Sequence, residues 1–307
     1  MRPTFKATAL FATLTVAALA LAGCSPATAQ RDSAHQGDGG KIAIVASTNV
    51  WGDVAKQIGG EAVAVVSIIS DSAQDPHSYE ANARVQLALS KADVVVENGG
   101  GYDDFVDTLL KGAGNDSAKV LNAVDISGFE QGAGLNEHVW YDFPTVKKVA
   151  AKIADTLSAL DASQASVFEA NLKTFDTALS GLEGEEAAIK ASAAGGSSVA
   201  ITEPVPAYLL AASGLVNKTP EAFSDALEED RDVPPDALKK TVALFSGHTV
   251  ALLAYNEQTS GPETQLVLDA AKEAGIPAIP MTETLPAGKD YLSWMTDNLA
   301  AVKAALR

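Results

Sequence analysis

Two histidines and two glutamates of this sequence stand in similar local settings. Each follows a predicted strand or precedes a predicted helix, in a loop; they are His77, His138, Glu203 and Glu283. In open α/β sheets, ligands bind in the crevice outside the carboxyl ends of the strands. Two imidazoles and two carboxylates are enough to hold a divalent first-row metal, and oxygen ligands favour harder ions such as Mn²⁺. The four residues therefore form a candidate metal site.

Spacing alone does not establish that site, because no two of the four residues are close in sequence. Short zinc motifs such as His-Glu-x-x-His or paired Cys-x-x-Cys do not occur in the chain. Three nearby carboxylates are candidates either for direct metal ligation or for hydrogen bonding to the ligands: Asp75, Asp142 and Glu257. The remaining histidines, His35 and His248, are predicted to be surface or tether residues.

Alternating strand and helix patterns must position these residues. Apolar strand patterns occur at 41–46, 63–69 and 93–96, and a fourth is predicted around 120–124, with helical patterns between them. Such alternation is typical of a parallel sheet covered on both faces. The turn Asn98-Gly99-Gly100-Gly101 has the glycines of a phosphate loop but neither its lysine nor its spacing, so we interpret it as structural.

The middle of the chain has a different pattern. Apolar residues recur three and four apart from Pro144 to Leu160, and again over a stretch of about thirty residues that we assign to 161–194. This stretch predicts one long helix joining two α/β lobes; two ordinary helices of a single larger domain remain the alternative. After it, strand patterns return at 198–202, 250–255 and 278–281, where Pro280 indicates an edge or a strand end.

The N-terminus has the pattern of a secretory signal over residues 1–23. Two basic residues precede an apolar stretch that is too short for a stable membrane span. The stretch ends in Leu21-Ala22-Gly23-Cys24, which resembles a bacterial lipobox, and Cys24 is the only cysteine of the chain. We predict that Cys24 is lipidated and that 24–40 is a flexible tether; ordinary cleavage beside a stray thiol is the alternative.

The charge of the chain excludes some partners. It has 22 basic and 39 acidic residues and a formal net charge of −17. Nucleic acid is not expected as a partner, because phosphate binding needs a basic face. An acidic surface favours cations, although it also serves solubility.

Four segments of the sequence carry a family resemblance. DPHSYE, NEHVWYDFPTVKKVA, ITEPVPAYLLAASGL and TETLP resemble the four ligand loops of the zinc/manganese solute-binding lipoproteins of bacterial ABC importers, the cluster A-I or TroA-like family, from about Lys41 to the C-terminus. The second loop departs from the more common DPHVWLDP. The fourth has Glu283 where aspartate is usual.

The resemblance implies an α/β fold of two lobes, each a mostly parallel sheet flanked by helices, bridged by a long rigid helix, with metal in the cleft between the lobes. We place the lobes at 41–160 and 195–307. The implied function is capture of Mn²⁺ or Zn²⁺ by His77, His138, Glu203 and Glu283, without enzymatic activity. The implied partners are a membrane permease and a separate ATPase; the protein is expected to be monomeric and lipid-anchored to the outer face of the cytoplasmic membrane.

The cargo and two rival functions stay open at this point. Zinc-specific members of the family often have a histidine-rich loop before the second ligand, whereas 126–135 is glycine-rich and has no histidine. This and the two glutamates favour Mn²⁺ slightly, although zinc binds more strongly at most such sites. The rivals are an extracytoplasmic metalloenzyme with Glu203 or Glu283 as base to a metal-bound water, and an adhesin-like lipoprotein with a structural metal.

Overall fold

The computed structural model describes residues 40–70, 79, 82–132, 134–192, 194–259 and 261–307. All of them belong to one compact unit of the chain. None of the helices in this described part has both the length and the apolar composition that a bilayer span requires.

The first lobe is built on a four-stranded parallel sheet in the order β2-β1-β3-β4. Its strands are β1 (Ile42–Thr48), β2 (Val63–Ile69), β3 (Val94–Glu97) and β4 (Lys119–Asn122). The helices that follow them are α1 (Asn49–Gly59), α2 (Ala83–Leu89), α3 (Phe105–Ala113) and α4 (Ala123–Ser127). Strand β1 lies between β2 and β3, so the strand order reverses direction at this point of the sheet. In open parallel sheets, the crevice that binds ligands lies at such a reversal.

The second lobe repeats this topology, with a parallel sheet in the order β6-β5-β7-β8. Its strands are β5 (Ser198–Ile201), β6 (Val216–Asn217), β7 (Leu253–Asn256) and β8 (Ala278–Met281). Its helices are α7 (Ala207–Ala212), α8 (Glu221–Glu228), α9 (Pro235–Ser246) and α10 (Pro262–Glu273). Strand β8 is one of the two edge strands of this sheet, as Pro280 predicted.

Two long helices connect the lobes, and a third closes the chain. They are α5 (Phe143–Leu160), α6 (Ala165–Ala191) and α11 (Tyr291–Ala305), with a single 3₁₀ turn, Ala162–Gln164, between α5 and α6. The predicted long helix is therefore confirmed as α6. It buries an apolar stripe against α1, α5 and α11, formed by Phe168, Phe175, Leu179, Leu182 and Ile189. A helix held on three sides in this way is a stiff connection between the sheets.

The structure differs from the sequence-based expectations in a few elements. Val124, expected in the fourth strand, lies in α4, because Asn122 ends β4 and its side chain caps that helix. Helix α2 is capped by Asn82, whose side chain accepts hydrogen bonds from Arg84 N and Val85 N. The cap predicted at Ser78 lies outside the described residues. Strand β6 and helix α8 were not predicted.

Candidate metal centre

The second lobe brings two of the predicted ligands together. Glu203 follows the end of β5 by two residues and Glu283 follows the end of β8 by two residues. Their exposed fractions are 2% and 3%. Strand β7 lies between β5 and β8, so both carboxylates flank the carboxyl end of the same central strand.

Asn256, the last residue of β7, bridges these two carboxylates. Its side-chain Nδ2 donates to Glu203 Oε2 and, at 2.7 Å, to Glu283 Oε1. Its backbone N–H donates to Thr202 Oγ1 at 2.9 Å, so the amide group is held in place. Two buried acidic groups thus face one position at the edge of the sheet, an arrangement that a cation would stabilise.

Tyr102 reaches Glu283 from the first lobe. Its hydroxyl donates to Glu283 Oε2 at 3.1 Å. Burial, together with the nearby charge of Glu283, raises the pKa of the Tyr102 phenol well above its usual range. The phenol therefore keeps its proton and acts as a donor toward Glu283.

A rigid turn after β3 presents Tyr102. The buried Asp103 carboxylate accepts from the backbone N–H groups of Asn98 at 2.6 Å and Gly99 at 2.7 Å. Gly99, Gly100 and Gly101 all have positive φ values, which explains the run of glycines. A Cβ at Gly99 would meet the side chain of Asn122 at 2.2 Å. The turn is thus held by hydrogen bonds from its backbone to the Asp103 side chain.

His138 is the first-lobe residue of the site, and it is fully buried. Its Nδ1 lies 2.7 Å from Asn136 Oδ1. An amide oxygen can only accept, so Nδ1 carries the proton and Nε2 is the atom directed toward a ligand. Trp140 and Tyr102 pack against the ring in edge-on geometry, with centroid distances of 5.0 and 6.0 Å. The imidazole is therefore fixed in both position and tautomer, as metal-binding histidines usually are.

The loop that carries His138 is itself tied to the second lobe. Asn136 Nδ2 donates to the carbonyl of Pro204 at 3.0 Å, next to Glu203. The hydroxyl of Tyr208 donates to the Asn136 carbonyl at 2.8 Å. Burial and the carboxylates of Asp142 and Glu137 raise the pKa of Tyr208 to about 12, so it too remains a donor. These contacts join the histidine and glutamate sides of the site.

A cavity of about 500 Å³ lies between the groups just described. Six acidic residues line it: Glu137, Glu203, Glu228, Glu229, Asp230 and Glu283. Ligand atoms of Glu137, His138 and Glu228 lie within 4.8 Å of one another, and His138 Nε2 is 3.4 Å from Glu228 Oε1. The wall of this cavity is thus strongly acidic, and an imidazole lies next to two of its carboxylates, a donor set suited to a divalent transition metal.

The other residues singled out in the sequence fall elsewhere. His77, Asp75 and Cys24 lie outside the described residues. Asp142 caps α5, its Oδ2 accepting from Thr145 N at 2.9 Å and Thr145 Oγ1 at 2.6 Å. Glu257 is exposed. Neither of the last two lines the cavity.

Sequence reasoning missed four residues of the site: Tyr102, Glu137, Glu228 and Asn256. Asn256 could have been recognised as the polar residue that ends an apolar strand, where the neighbouring Glu257 was considered instead. Helix α8 has a sequence signal as well, since Phe223, Ala226 and Leu227 recur at helical spacing after Pro220. Tyr102 and Glu137 have no comparable signal, because only the packing of the lobes brings them to the cavity.

Two parallel-sheet lobes joined by a long helix, with an imidazole and carboxylates converging between them, define the class of metal-type solute-binding proteins. Comparison with known proteins identifies the family within that class. The chain belongs to the family described as zinc-uptake complex component A, periplasmic (ZnuA), whose model matches residues 44–305. The family resemblance stated from the ligand loops is thereby confirmed.

Individual relatives agree with this assignment. The chain is 32% identical over 169 residues to the manganese-binding lipoprotein MntA of Halalkalibacterium halodurans, a match that covers 55% of each chain. It is 30% identical over 186 residues to the manganese ABC transporter substrate-binding lipoprotein PsaA of Streptococcus mitis, covering 56% of this chain and 57% of the relative. The chain thus spans about half the length of the curated relatives it matches.

Solved structures support the fold over a longer stretch. A crystal structure of ZnuA superposes with a TM-score of 0.70 at 22% identity, covering 86% of this chain and 98% of that one. A mutant of the laminin-binding adhesin Lmb of Streptococcus agalactiae superposes with a TM-score of 0.71 at 20% identity, covering 87% and 100%. The expected two-lobed α/β architecture is therefore confirmed.

Proposed function

We propose that this chain is an extracytoplasmic solute-binding protein that captures a divalent transition metal and delivers it to the permease of an ABC importer. Its ligands are His77, His138, Glu203 and Glu283. The observation that carries the proposal is the approach of His138 to the second-lobe carboxylates: its Nε2 lies 3.4 Å from Glu228 Oε1, and Tyr102 contacts both its ring and Glu283. His77 joins the set on its motif, DPHSYE.

A cavity walled by both lobes suits transport. An ion held between two lobes can be enclosed for transit and released when the lobes separate. The names of the relatives, a manganese-binding lipoprotein and a substrate-binding lipoprotein, support capture of a metal over the metalloenzyme alternative. The proposal includes a separate ATPase subunit and a monomeric binding protein.

We infer that Mn²⁺ is the preferred cargo, with Zn²⁺ the alternative. Carboxylate ligands favour the harder ion, and Glu203 and Glu283 supply half of the proposed set. Both curated relatives described above are named for manganese. The family itself is named for zinc, and this keeps Zn²⁺ as the competitor that any experiment must include.

Titration of the purified chain with each metal tests the proposal. We expect one Mn²⁺ or Zn²⁺ ion to bind per chain, and the bound ion to raise the melting temperature, because it binds the folded state alone. Calorimetry gives the stoichiometry and affinity, and a thermal melt gives the stabilisation. A chain that binds neither ion above the level of a non-specific acidic surface would contradict the proposal.

The anchor is a further part of the proposal. Residues 1–23 act as the export signal, and lipidation at Cys24 holds the protein on the outer face of the cytoplasmic membrane through the tether 24–40. The expected result for Cys24→Ser is release into the soluble fraction, because two or more acyl chains are needed for stable attachment. Membrane fractionation of cells producing either form measures this. Retention of Cys24→Ser in the membrane fraction would show that another segment is the anchor.

A further inference from the structure

Glu228 occupies a position that the proposed ligand set does not explain. It is the last residue of α8, and only 8% of its side chain is exposed. The next residue, Glu229, is 60% exposed and pairs with Arg231 at 2.5 Å. Both residues line the cavity, but the Glu228 side chain is buried, whereas the Glu229 side chain is mostly exposed and paired with Arg231.

The end of α8 holds this arrangement. Asp230 has a φ of 48°, the left-handed conformation that ends a helix abruptly. The backbone N–H of Arg231 donates to the carbonyl of Ala226 at 2.7 Å and closes the turn. Because Asp230 is not glycine, this conformation costs conformational energy. This unfavourable conformation occurs two residues after Glu228, at the turn that directs the Glu228 side chain toward the cavity.

Glu228 is also the second-lobe side chain that faces His138. Its Oε1 lies 3.4 Å from His138 Nε2, the nitrogen that the Asn136 contact leaves directed at a ligand. Two atoms bound to one metal at about 2.1 Å each are separated by about 3.0–3.4 Å. The observed separation therefore fits two ligands of a single ion.

The electrostatic setting of Glu228 favours a cation. The carboxyl end of a helix has a partial negative charge, and the last turn of α8, described throughout, has no basic residue. Glu137, Glu203 and Glu283 line the same cavity and add further negative charge. His138 is the one imidazole within the described part of this cluster, and a single imidazolium cannot balance several carboxylates. A divalent ion beside Glu228 and His138 would offset more of this charge.

We propose that Glu228 is an additional ligand of the captured ion and that its carboxylate shifts the preference of the site toward Mn²⁺. This inference rests on the proposed function, because it adds a ligand to the same site. Glu228 brings a third carboxylate to the ion, beside Glu203 and Glu283, and increases the oxygen share of the ligand set. Hard ions with higher coordination numbers benefit most from such an addition.

The test compares Glu228→Gln with the matched control Glu221→Gln, an exposed glutamate in the first turn of α8 that does not line the cavity, each as the full chain purified in detergent. We expect Glu228→Gln to lower the Mn²⁺ affinity by about tenfold or more and the Zn²⁺ affinity by less. Glu221→Gln should bind both ions like the wild type. Titration calorimetry with MnCl₂ and ZnCl₂ measures both affinities, and circular dichroism with a thermal melt establishes that each variant is folded.

A second variant keeps the inference testable if Glu228→Gln does not fold. Glu228→His retains a ligand but exchanges oxygen for nitrogen, so it should lower the Mn²⁺ affinity while the Zn²⁺ affinity is retained or rises. Unchanged or tighter Mn²⁺ binding by Glu228→Gln would show that Glu228 only pairs with His138, and would overturn the ligand assignment. A wild-type chain that binds neither ion would instead overturn the proposed function, and the ligand assignment with it.

Discussion

Replacing His138 by alanine should lower the affinity for Mn²⁺ and Zn²⁺ by about 100-fold or more. The ring is fully buried, and its Nδ1 is held by Asn136, so Nε2 is prepared for a ligand before any ion arrives. Alanine removes this nitrogen, and water at the vacated position would coordinate the ion without the same fixed geometry. Titration calorimetry of wild type and His138→Ala measures the difference.

The matched control for this variant is His248→Asn. His248 is exposed and has a φ of 47°, a conformation that asparagine tolerates well. This substitution also removes one imidazole but should leave both metal affinities unchanged. If His138→Ala binds metal as tightly as His248→Asn does, the ion lies elsewhere and the proposed site is wrong.

The double variant Glu203→Gln, Glu283→Gln should have two effects of opposite sign. Metal affinity should fall by about 100-fold or more, because two charged ligands become neutral amides. The metal-free protein should become more stable, with a melting temperature about 2–5 °C higher. Two buried carboxylates share the Asn256 amide, so their mutual repulsion and loss of hydration destabilise the metal-free fold. Neutral glutamines keep the shape without these costs.

Thermal melts with and without Mn²⁺ separate the two effects. For wild type, added Mn²⁺ should raise the melting temperature strongly; for the double variant, the starting value should be higher and the response to Mn²⁺ nearly absent. Glu257→Gln, an exposed neighbour of Asn256, is the control that removes one charge outside the cavity. A double variant that is less stable without metal and still responds to Mn²⁺ would show that these glutamates have a structural role.

Much of the architecture followed from patterns that are local in sequence. The strands at 63–69 and 278–281 begin and end as predicted, because each is an apolar run bordered by turn residues. The long helix α6 was visible in apolar residues three and four apart. Strand β6 is only two residues long, too short for any periodic pattern, and its place in the sheet is defined by pairing with β5.

The residues of the site also divide into those that local sequence patterns predicted and those that they did not. Glu203 and Glu283 were recognised because each follows a strand, and parallel strands bring their carboxyl ends to one edge. Tyr102 and Glu228 were not recognised, because their proximity to the ligands depends on how the lobes pack. Glu228 is separated from His138 by ninety positions in the sequence but by 3.4 Å in the structure. Local patterns contain no information about such a contact.

The position of the bound ion is the most direct test of whether His138, Glu203 and Glu283 form one metal site. Crystals of the Mn²⁺-loaded protein, measured at the manganese absorption edge, give an anomalous difference peak at each bound manganese. We expect one peak per chain in the cavity lined by Glu203 and Glu283, at coordination distance from those carboxylates and from His138 Nε2. A peak on the outer surface, far from His138 and both glutamates, would show that these residues do not bind the ion.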